Sequence, residues 1–270
     1  MKRLLLIAFL MTGISAAYAQ LYVRASVGYN LPMGAQQLDT EEIYTSNDQG
    51  QYTTTFKGVY GSYGSGVSGR VGFGGELSGI LGFDVELGYL SGKQYTSESK
   101  SVYSGYESLN KNEYKSSAIQ FTPSLTFTGG GTGKIVPIAR VGPMISVTTL
   151  KGEESSSNTY NNYTEKIEYK YSGNISFGFK GAVGIQYALS EKMQFCAEVD
   201  FITMSYGPKK REITAYEVNG QDVMDQVDPD IKEIDYEKEQ TLVNEEGDPV
   251  VRPTFPMGSI GIQLGIKFHL

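Results

Sequence analysis

The sequence lacks most of the side chains from which catalytic centres, metal sites and disulfide frameworks are built. Its 270 residues include one cysteine, one histidine and no tryptophan. The single Cys196 excludes an internal disulfide. A Ser-His-acid site would have to use His269, which is second from the end. The net charge of -7 argues against nucleic acid as a partner and against simple adhesion to anionic lipid.

Long apolar runs are missing as well, except near the N-terminus. There Lys2 and Arg3 precede an apolar run over residues 4–11, and residues 17–19 have the small-x-small pattern of a cleavage site. These features predict a secretory signal peptide over residues 1–19, removed on export, and a mature domain over residues 20–270. Because no later segment approaches ~18 consecutive apolar residues, we expect no transmembrane helix.

Alternation of apolar and polar residues is what the chain has in abundance. Over residues 259–270, every second side chain from Ile260 to Leu270 is apolar. A period of two predicts a β-strand with one face that avoids water. Seven earlier segments share the pattern: 21–30, 67–77, 81–90, 117–127, 135–147, 174–187 and 193–206.

The connections between these eight segments alternate in length. Three are tight, at 78–80, 128–134 and 188–192, and four are long, at 31–66, 91–116, 148–173 and 207–257. If successive strands are antiparallel neighbours, all tight turns lie at one end and all long loops at the other, which is typical of membrane barrels. We therefore predict an all-β chain: an eight-stranded antiparallel up-and-down transmembrane β-barrel with short periplasmic turns and long extracellular loops.

The polar face of these strands decides which face points outward. It is rich in glycine, which suits the narrow interior of an eight-stranded barrel better than a solvated surface. It also carries equal numbers of basic and acidic side chains, as expected where buried charges are paired. We predict that these residues form an ionic cluster in the lumen and that the apolar face meets lipid. The ten residues are Arg24, Arg70, Arg140, Lys180, Lys267, Glu76, Asp84, Glu86, Glu198 and Asp200.

On these features the chain resembles the small bacterial outer-membrane β-barrel proteins of the OmpA/OmpX type. The resemblance rests on the signal peptide, the eight-strand layout, strands such as 195–201 and the apolar final strand. It implies location in the bacterial outer membrane, with outer-membrane lipid, lipopolysaccharide and the barrel-insertion machinery as partners. The chain departs from the family in ending on Leu270 rather than an aromatic residue, and in the prolines Pro123, Pro137 and Pro143, for which bulges or positions above the lipid are expected.

Catalytic and metal sites are weakly supported by the residues. The resemblance also makes a lipid-modifying enzyme worth considering. Such enzymes use a histidine with a serine and a carboxylate, and here only His269 and Ser26 are candidates for the first two. We expect His269 to lie at the lumen rim. Asp228 and Asp230 begin like a calcium loop, but Lys232 stands where another acidic ligand belongs. The sequence thus predicts no enzyme, no cofactor and no metal.

The long loops carry the remaining functional information. The first three are rich in Tyr, Ser, Asn and Thr, a composition typical of binding surfaces, and the fourth is acidic. We expect a non-enzymatic membrane protein with a plugged lumen, whose loops at 31–66, 91–116, 148–173 and 207–257 serve surface interaction or envelope integrity, with an unknown extracellular ligand. A narrow gated porin-like channel for small solutes and a lipid-modifying enzyme are the alternatives.

Overall fold

The computed structural model describes residues 20–34, 36–47, 49, 51–103, 105–129, 133–237 and 251–270, so the predicted signal peptide lies outside the described residues. Within them the protein is all-β, with one 3-10 turn at Met224–Gln226 and one short helix, α1, at Pro229–Lys232. No helix among the described residues is long and apolar enough to cross a membrane. The strands are β1 (Gln20–Pro32), β2 (Gln36–Ser46), β3 (Tyr52–Gly61), β4 (Gly66–Glu76), β5 (Leu81–Gly92), β6 (Tyr95–Tyr103), β7 (Tyr106–Thr128), β8 (Ile135–Asn158), β9 (Tyr163–Ser172), β10 (Ile175–Ala188), β11 (Met193–Tyr206), β12 (Lys210–Val218), β13 (Gln221–Asp222), β14 (Glu233–Asp235), β15 (Phe255–Pro256) and β16 (Ser259–His269).

Eight of these strands pair in a closed ring. The antiparallel order is β1, β4, β5, β7, β8, β10, β11 and β16, and β16 pairs back onto β1. The closing seam runs from Tyr22 opposite His269 to Pro32 opposite Ser259. Because each ring strand has two neighbours, its backbone donors and acceptors can be paired on both sides, which leaves the ring without an edge.

The prediction of eight strands is wrong as a count, because the described residues form sixteen. The eight predicted segments correspond to the ring strands, but the regions taken as loops contain β2, β3, β6, β9 and β12 to β15. The hairpin of β7 and β8 runs unshifted from Ser108 opposite Asn158 to Thr128 opposite Ile138. Beyond the ring most of its residues are polar on both faces, with exceptions such as Leu150, so the apolar alternation ends although the backbone ladder continues.

These continuations extend the same hydrogen-bonded sheet beyond the loop end of the ring, and this extension is called here the outer sheet. Its order is β3, β2, β6, β7, β8, β9 and β12, with β2 and β6 parallel and every other pair antiparallel. β13 and β14 add short pairings to β12. The outer sheet is open, and the hairpin of β2 and β3 forms one of its edges.

The prolines of β7 and β8 sit neither in a bulge nor beyond the apolar row. The β7–β8 pairing stops after Phe121 opposite Ile145 and resumes in the same register at Leu125 opposite Val141. Continuing that register puts Pro123 opposite Pro143. Because proline has no backbone N–H, placing the two opposite each other confines the interruption to the three positions from residue 122 to residue 124. The two backbones approach closely there, since a Cβ on Gly142 would lie 1.9 Å from the Pro123 carbonyl oxygen.

The two faces of the ring differ completely in character. Outward side chains are apolar and exposed all the way round, for example Val27 at 66%, Leu87 at 52% and Phe177 at 73%. Inward side chains are buried and mostly polar or charged. The apolar cluster of buried residues lies at the loop end of the interior and includes Leu90, Met144, Leu150 and Tyr206.

Candidate functional site: a paired charged interior under an aromatic seal

The ten charged residues that the sequence predicts for the lumen all lie on inward positions of the ring strands. Nine of them are buried, and the tenth, Glu76, has a side chain that is 30% exposed. Strand alternation produces this arrangement, because each charged residue is an even number of positions from the other inward residues of its strand. Every one of the ten makes an ion pair with another of the ten.

Six of these residues form a connected central network. Arg24 donates to both oxygens of Asp84, from Nη2 at 2.8 Å and from Nε at 3.0 Å, and also donates to Glu86. Glu86 accepts from Lys180 Nζ at 2.5 Å and lies 3.7 Å from Arg70 Nε. The network is completed by Asp200, which pairs with Arg70 and lies 3.6 Å from Lys180. Three cations thus face three carboxylates, and the central network is neutral. Its members are Arg24, Arg70, Asp84, Glu86, Lys180 and Asp200.

The other four residues form two separate pairs. Arg140 Nη1 donates to both carboxylate oxygens of Glu198 at 2.6 Å. Lys267 Nζ donates to Glu76 Oε1 at 2.7 Å and also lies 4.0 Å above the ring of Tyr22. The Tyr22 hydroxyl in turn donates to Asp84 Oδ2 at 3.0 Å, which connects this pair to the central network.

Uncharged polar side chains fill the space between the charged groups. Gln263 Nε2 donates to Asn30 Oδ1 at 3.3 Å and to Ser68 Oγ at 3.1 Å. The cavity beside Arg24 and Cys196 and the one beside Glu86 and Arg140 each measure about 10 Å³. A single water molecule needs about that much space. Alternation predicts Gln263 on the polar face of the last strand with Lys267, whereas Tyr22 was missed, although its even spacing from Arg24 was a signal for an inward position.

A layer of aromatic side chains closes the loop end of the interior. The Phe255 ring lies at its centre, with centroid distances of 5.5 Å to Tyr63, 5.4 Å to Tyr171 and 6.3 Å to Tyr206. Tyr63 extends the layer through edge contacts with two further tyrosines on β6 and β7. We call this layer the aromatic seal. It consists of Tyr63, Tyr95, Tyr114, Tyr171, Tyr206 and Phe255.

Backbone hydrogen bonds hold two short segments in the aromatic seal. The Tyr63 N–H donates to the Pro256 carbonyl at 2.9 Å, and the Met257 N–H donates to the Met204 carbonyl at 3.0 Å. A Cβ on Gly64 would lie 1.9 Å from the Met257 carbonyl oxygen, so only glycine permits this approach. The sequence offered no periodic signal here, because segments 62–65 and 255–257 are too short to show one.

Burial changes the acidity of the phenols in the aromatic seal. Desolvation raises the pKa of Tyr171 to about 12. Burial also raises the pKa of Tyr63 and Tyr114, and the carboxylate of Glu154, which accepts from the Tyr114 hydroxyl, adds to the effect on Tyr114. Upward shifts in pKa keep these phenols neutral to a higher pH than an exposed tyrosine would reach.

The residues weighed for catalysis and metal binding are not brought together. His269 is buried and packs edge-on against Tyr22, with ring centroids 6.1 Å apart. Tyr22 is opposite His269 and Ser26 opposite Gly265, which separates Ser26 from His269 by about 13 Å along the strand. Asp228 Oδ1 instead accepts the backbone N–H of Asp230 and caps α1. No group of three or more His, Cys, Asp or Glu in the described part of the chain could hold a metal ion.

The outer sheet presents a separate aromatic surface. Tyr52, Phe56 and Tyr60 are spaced by four residues and so lie on one face of the edge strand β3, where they are 71%, 66% and 57% exposed. The Tyr52 ring also stacks on Tyr44 of β2, with centroids 5.9 Å apart. Several aromatic residues of the first predicted loop thus lie in an exposed stripe on the hairpin of β2 and β3.

Comparisons with known proteins find one similar solved structure but do not assign the chain to a family. No family model matches the chain, and no curated protein matches it. Among solved structures, the crystal structure of Neisserial surface protein A (NspA) aligns with 93% of this chain and 97% of that chain, at 11% sequence identity and a TM-score of 0.39. This likeness is too weak to assign a family, and membership of the OmpA/OmpX type stays a prediction.

Proposed function

We propose that the chain is an integral β-barrel protein of the bacterial outer membrane, in which the ring of eight strands spans the lipid. The observation that carries the proposal is the division of the ring faces, apolar and exposed outside, charged and paired inside. Soluble proteins rarely expose a contiguous apolar patch larger than a few hundred Å². Here apolar side chains surround the whole ring, and lipid is the environment that such a surface requires.

The height of the apolar row supports the same conclusion. On β8 the row runs from Ile135 to Val147, twelve residue steps. At ~3.3 Å per residue and a strand tilt of ~40°, this corresponds to about 30 Å of height, the thickness of a hydrocarbon core. Tyr29 and Tyr89 lie at the loop-side ends of their strands and Tyr187 at a turn-side end, as in an aromatic girdle.

Heat-modifiable gel mobility tests the closed ring in the membrane. The protein from the membrane fraction should migrate differently before and after boiling, because the ring resists detergent at room temperature. A variant lacking residues 259–270 has no β16 to close the seam and should lose the shift. Recovery of the intact chain in the soluble fraction, or one mobility under both conditions, would contradict the proposal. Assembly by the barrel-insertion machinery is part of the proposal, and the same variant should fail to reach the membrane.

We further propose that the interior is sealed rather than conducting. The paired charges and the aromatic seal are two successive layers, and the cavities beside Arg24 and Glu86 hold about 10 Å³ each. The alternative is a narrow gated porin-like channel. Purified protein in planar bilayers should show no reproducible openings, and steady single-channel steps would favour the channel.

The proposal gives the chain no catalytic step, cofactor or metal. Its support is the separation of His269 from Ser26 along the seam. A lipid-modifying enzyme is the alternative, and it predicts altered lipid A in a strain that overproduces the protein. We expect an unchanged lipid A profile.

The outer sheet is proposed to meet an extracellular ligand or protein, or to protect the envelope. The exposed stripe of Tyr52, Phe56 and Tyr60 supports binding, because aromatic side chains give large contact area at low entropic cost. Replacing all three by serine should reduce adhesion of cells that display the protein and leave the heat-modifiable shift intact. Unchanged adhesion would favour the role in envelope integrity.

A further inference from the structure

Three lysines are aligned on the outward face of the outer sheet. Lys115 of β7 is directly opposite Lys151 of β8, and Lys151 is directly opposite Lys170 of β9. Like charges on directly opposed positions destabilise a sheet unless something neutralises them. We call these three residues the lysine row.

Of the four carboxylates nearest to the lysine row, three pair with other lysines, and the fourth, Glu212, makes no ion pair with the row. One step further from the ring, Glu113, Glu153 and Glu168 are likewise opposed to one another. They pair with the lysines beyond them, since Lys111 Nζ lies 2.5 Å from Glu113 and Lys166 Nζ lies 2.9 Å from Glu168 and 3.3 Å from Glu153. Glu212 of β12 is opposite Lys170. Among the described residues, no ion pair within 4.0 Å joins the lysine row to any carboxylate.

The position of the lysine row along the strands is informative. Ile119 and Val147 end the unbroken outward apolar rows of β7 and β8, and Ile119 is level with Tyr89. Lys115 and Lys151 follow four residues beyond them, about 13 Å along the strand and about 10 Å in height. The polar headgroup layer of a bilayer begins at the edge of the apolar band, and long lysine side chains extend along a surface to reach it.

A groove surrounds the lysine row. It has a volume of about 460 Å³, and its lining includes all three lysines, all three glutamates, Gln94 and Thr214. The lysines form its membrane side and the glutamates its outer side. A ligand with anionic groups toward the membrane and hydroxyl groups away from it complements this order, because carboxylates in ion pairs still accept hydrogen bonds.

We propose that the lysine row binds the phosphate groups of a phosphorylated glycolipid in the outer leaflet, with the sugar hydroxyls toward the glutamates. This inference rests on the proposed membrane location of the ring. A bound phosphate would neutralise the three lysines, which explains why three like charges are tolerated side by side just beyond the apolar band. Binding places a lipid against the outward face of β7, β8 and β9.

The test uses purified wild-type protein in detergent micelles and native mass spectrometry of retained lipid. The probes are bisphosphorylated lipid A and the same lipid A after enzymatic removal of both phosphates. The test variant is Lys115→Gln/Lys151→Gln/Lys170→Gln. The control is Lys57→Gln/Lys134→Gln/Lys192→Gln, which makes the same charge change at exposed positions that neither line the groove nor pair with its glutamates.

Wild-type protein should prefer bisphosphorylated lipid A, and the test variant should lose on the order of a hundredfold in affinity, because each lysine near an anionic lipid contributes roughly fivefold. The control should change by about twofold or less. Equal retention of the dephosphorylated lipid, or equal binding by the test variant, would overturn the inference. Displacement of lipid A by 10 mM inorganic phosphate would show an anion site without lipid preference and would also overturn it.

Vesicle insertion and the heat-modifiable shift, measured on the same samples, separate this inference from the proposed function. Protein that fails to insert refutes the membrane proposal and the lipid site with it. Protein that inserts and shifts but does not distinguish the two lipids refutes the lipid site alone.

Discussion

Replacing Arg140 by methionine should destabilise the protein far more than replacing both members of its ion pair. Arg140 and Glu198 have side chains that are 5% and 7% exposed, and they contact each other at 2.6 Å. Arg140→Met leaves the Glu198 carboxylate buried without its partner, which typically costs about 3–5 kcal/mol. The double variant Arg140→Met/Glu198→Met removes both charges, and we expect it to lie within about 2 kcal/mol of the wild type.

A detail of the structure favours tolerance of the double variant. Arg140 Nε and Nη2 are buried and have no hydrogen-bond partner among the described residues. The native pair therefore carries an uncompensated desolvation penalty that the double variant removes. The two single changes should be strongly non-additive, with a coupling energy of about 3 kcal/mol or more.

Urea unfolding in detergent micelles measures these differences. Because the chain has no tryptophan, the signal should be far-UV circular dichroism, with heat-modifiable mobility to confirm the folded start. Lys57→Met is the matched control, since Lys57 pairs with Glu41 at 2.9 Å but its side chain is 73% exposed. It should leave the urea midpoint almost unchanged. If the double variant were as unstable as the two single changes combined, the pair would not act as a buried unit and the reasoning would be refuted.

Three further predictions concern the aromatic seal and the interior. Gly64→Ala should loosen the aromatic seal and expose segments 62–65 and 255–257 to protease, because the new Cβ would lie 1.9 Å from the Met257 carbonyl oxygen. Gly69→Ala is the control and should have no effect, because a Cβ on Gly69 has no atom within 4 Å. Thermal stability should fall as the pH rises from about 10 to about 12. Burial raises the pKa of Tyr171 to about 12, so in this range the folded state keeps a proton that the unfolded state loses. A stability that does not change over this pH range would argue against a buried seal. Cys196, buried on the inner face, should react with a maleimide only after unfolding, and rapid labelling of the folded protein would mean that the interior is open.

The ring strands and their two faces were predictable because one property repeats along every strand. A period of two separates apolar from polar positions without knowledge of any partner strand. It identified Arg24, Glu86 and Asp200 as inward residues. It could not identify their contacts, since Arg70 on β4 meets Asp200 on β11 across the interior, and such meetings depend on how far each strand is staggered.

The outer sheet and the aromatic seal were missed for two different physical reasons. β9 and β12 are short, and their apolar rows are rich in tyrosine, as in Ile167, Tyr169 and Tyr171 of β9, so their composition resembles that of a binding loop. Segments 62–65 and 255–257 are ordered by each other, through bonds such as that from the Tyr63 N–H to the Pro256 carbonyl. Contacts between segments so far apart in the sequence produce no local residue pattern from which they could be predicted.

The construction of the aromatic seal argues for a fixed closure rather than a gate. Phe255, at its centre, lies only four residues before the start of β16, the strand that closes the ring. Its own short strand pairs with Tyr206 of β11, which is another ring strand. Moving Phe255 outward would pull on the seam between β16 and β1 and break pairing to β11. Below it, any opening must also separate Glu86 from three cations in a space with almost no room for water. Because both layers are anchored in ring strands, conduction would require the ring itself to deform, and a closed set of paired strands resists that deformation at every rung.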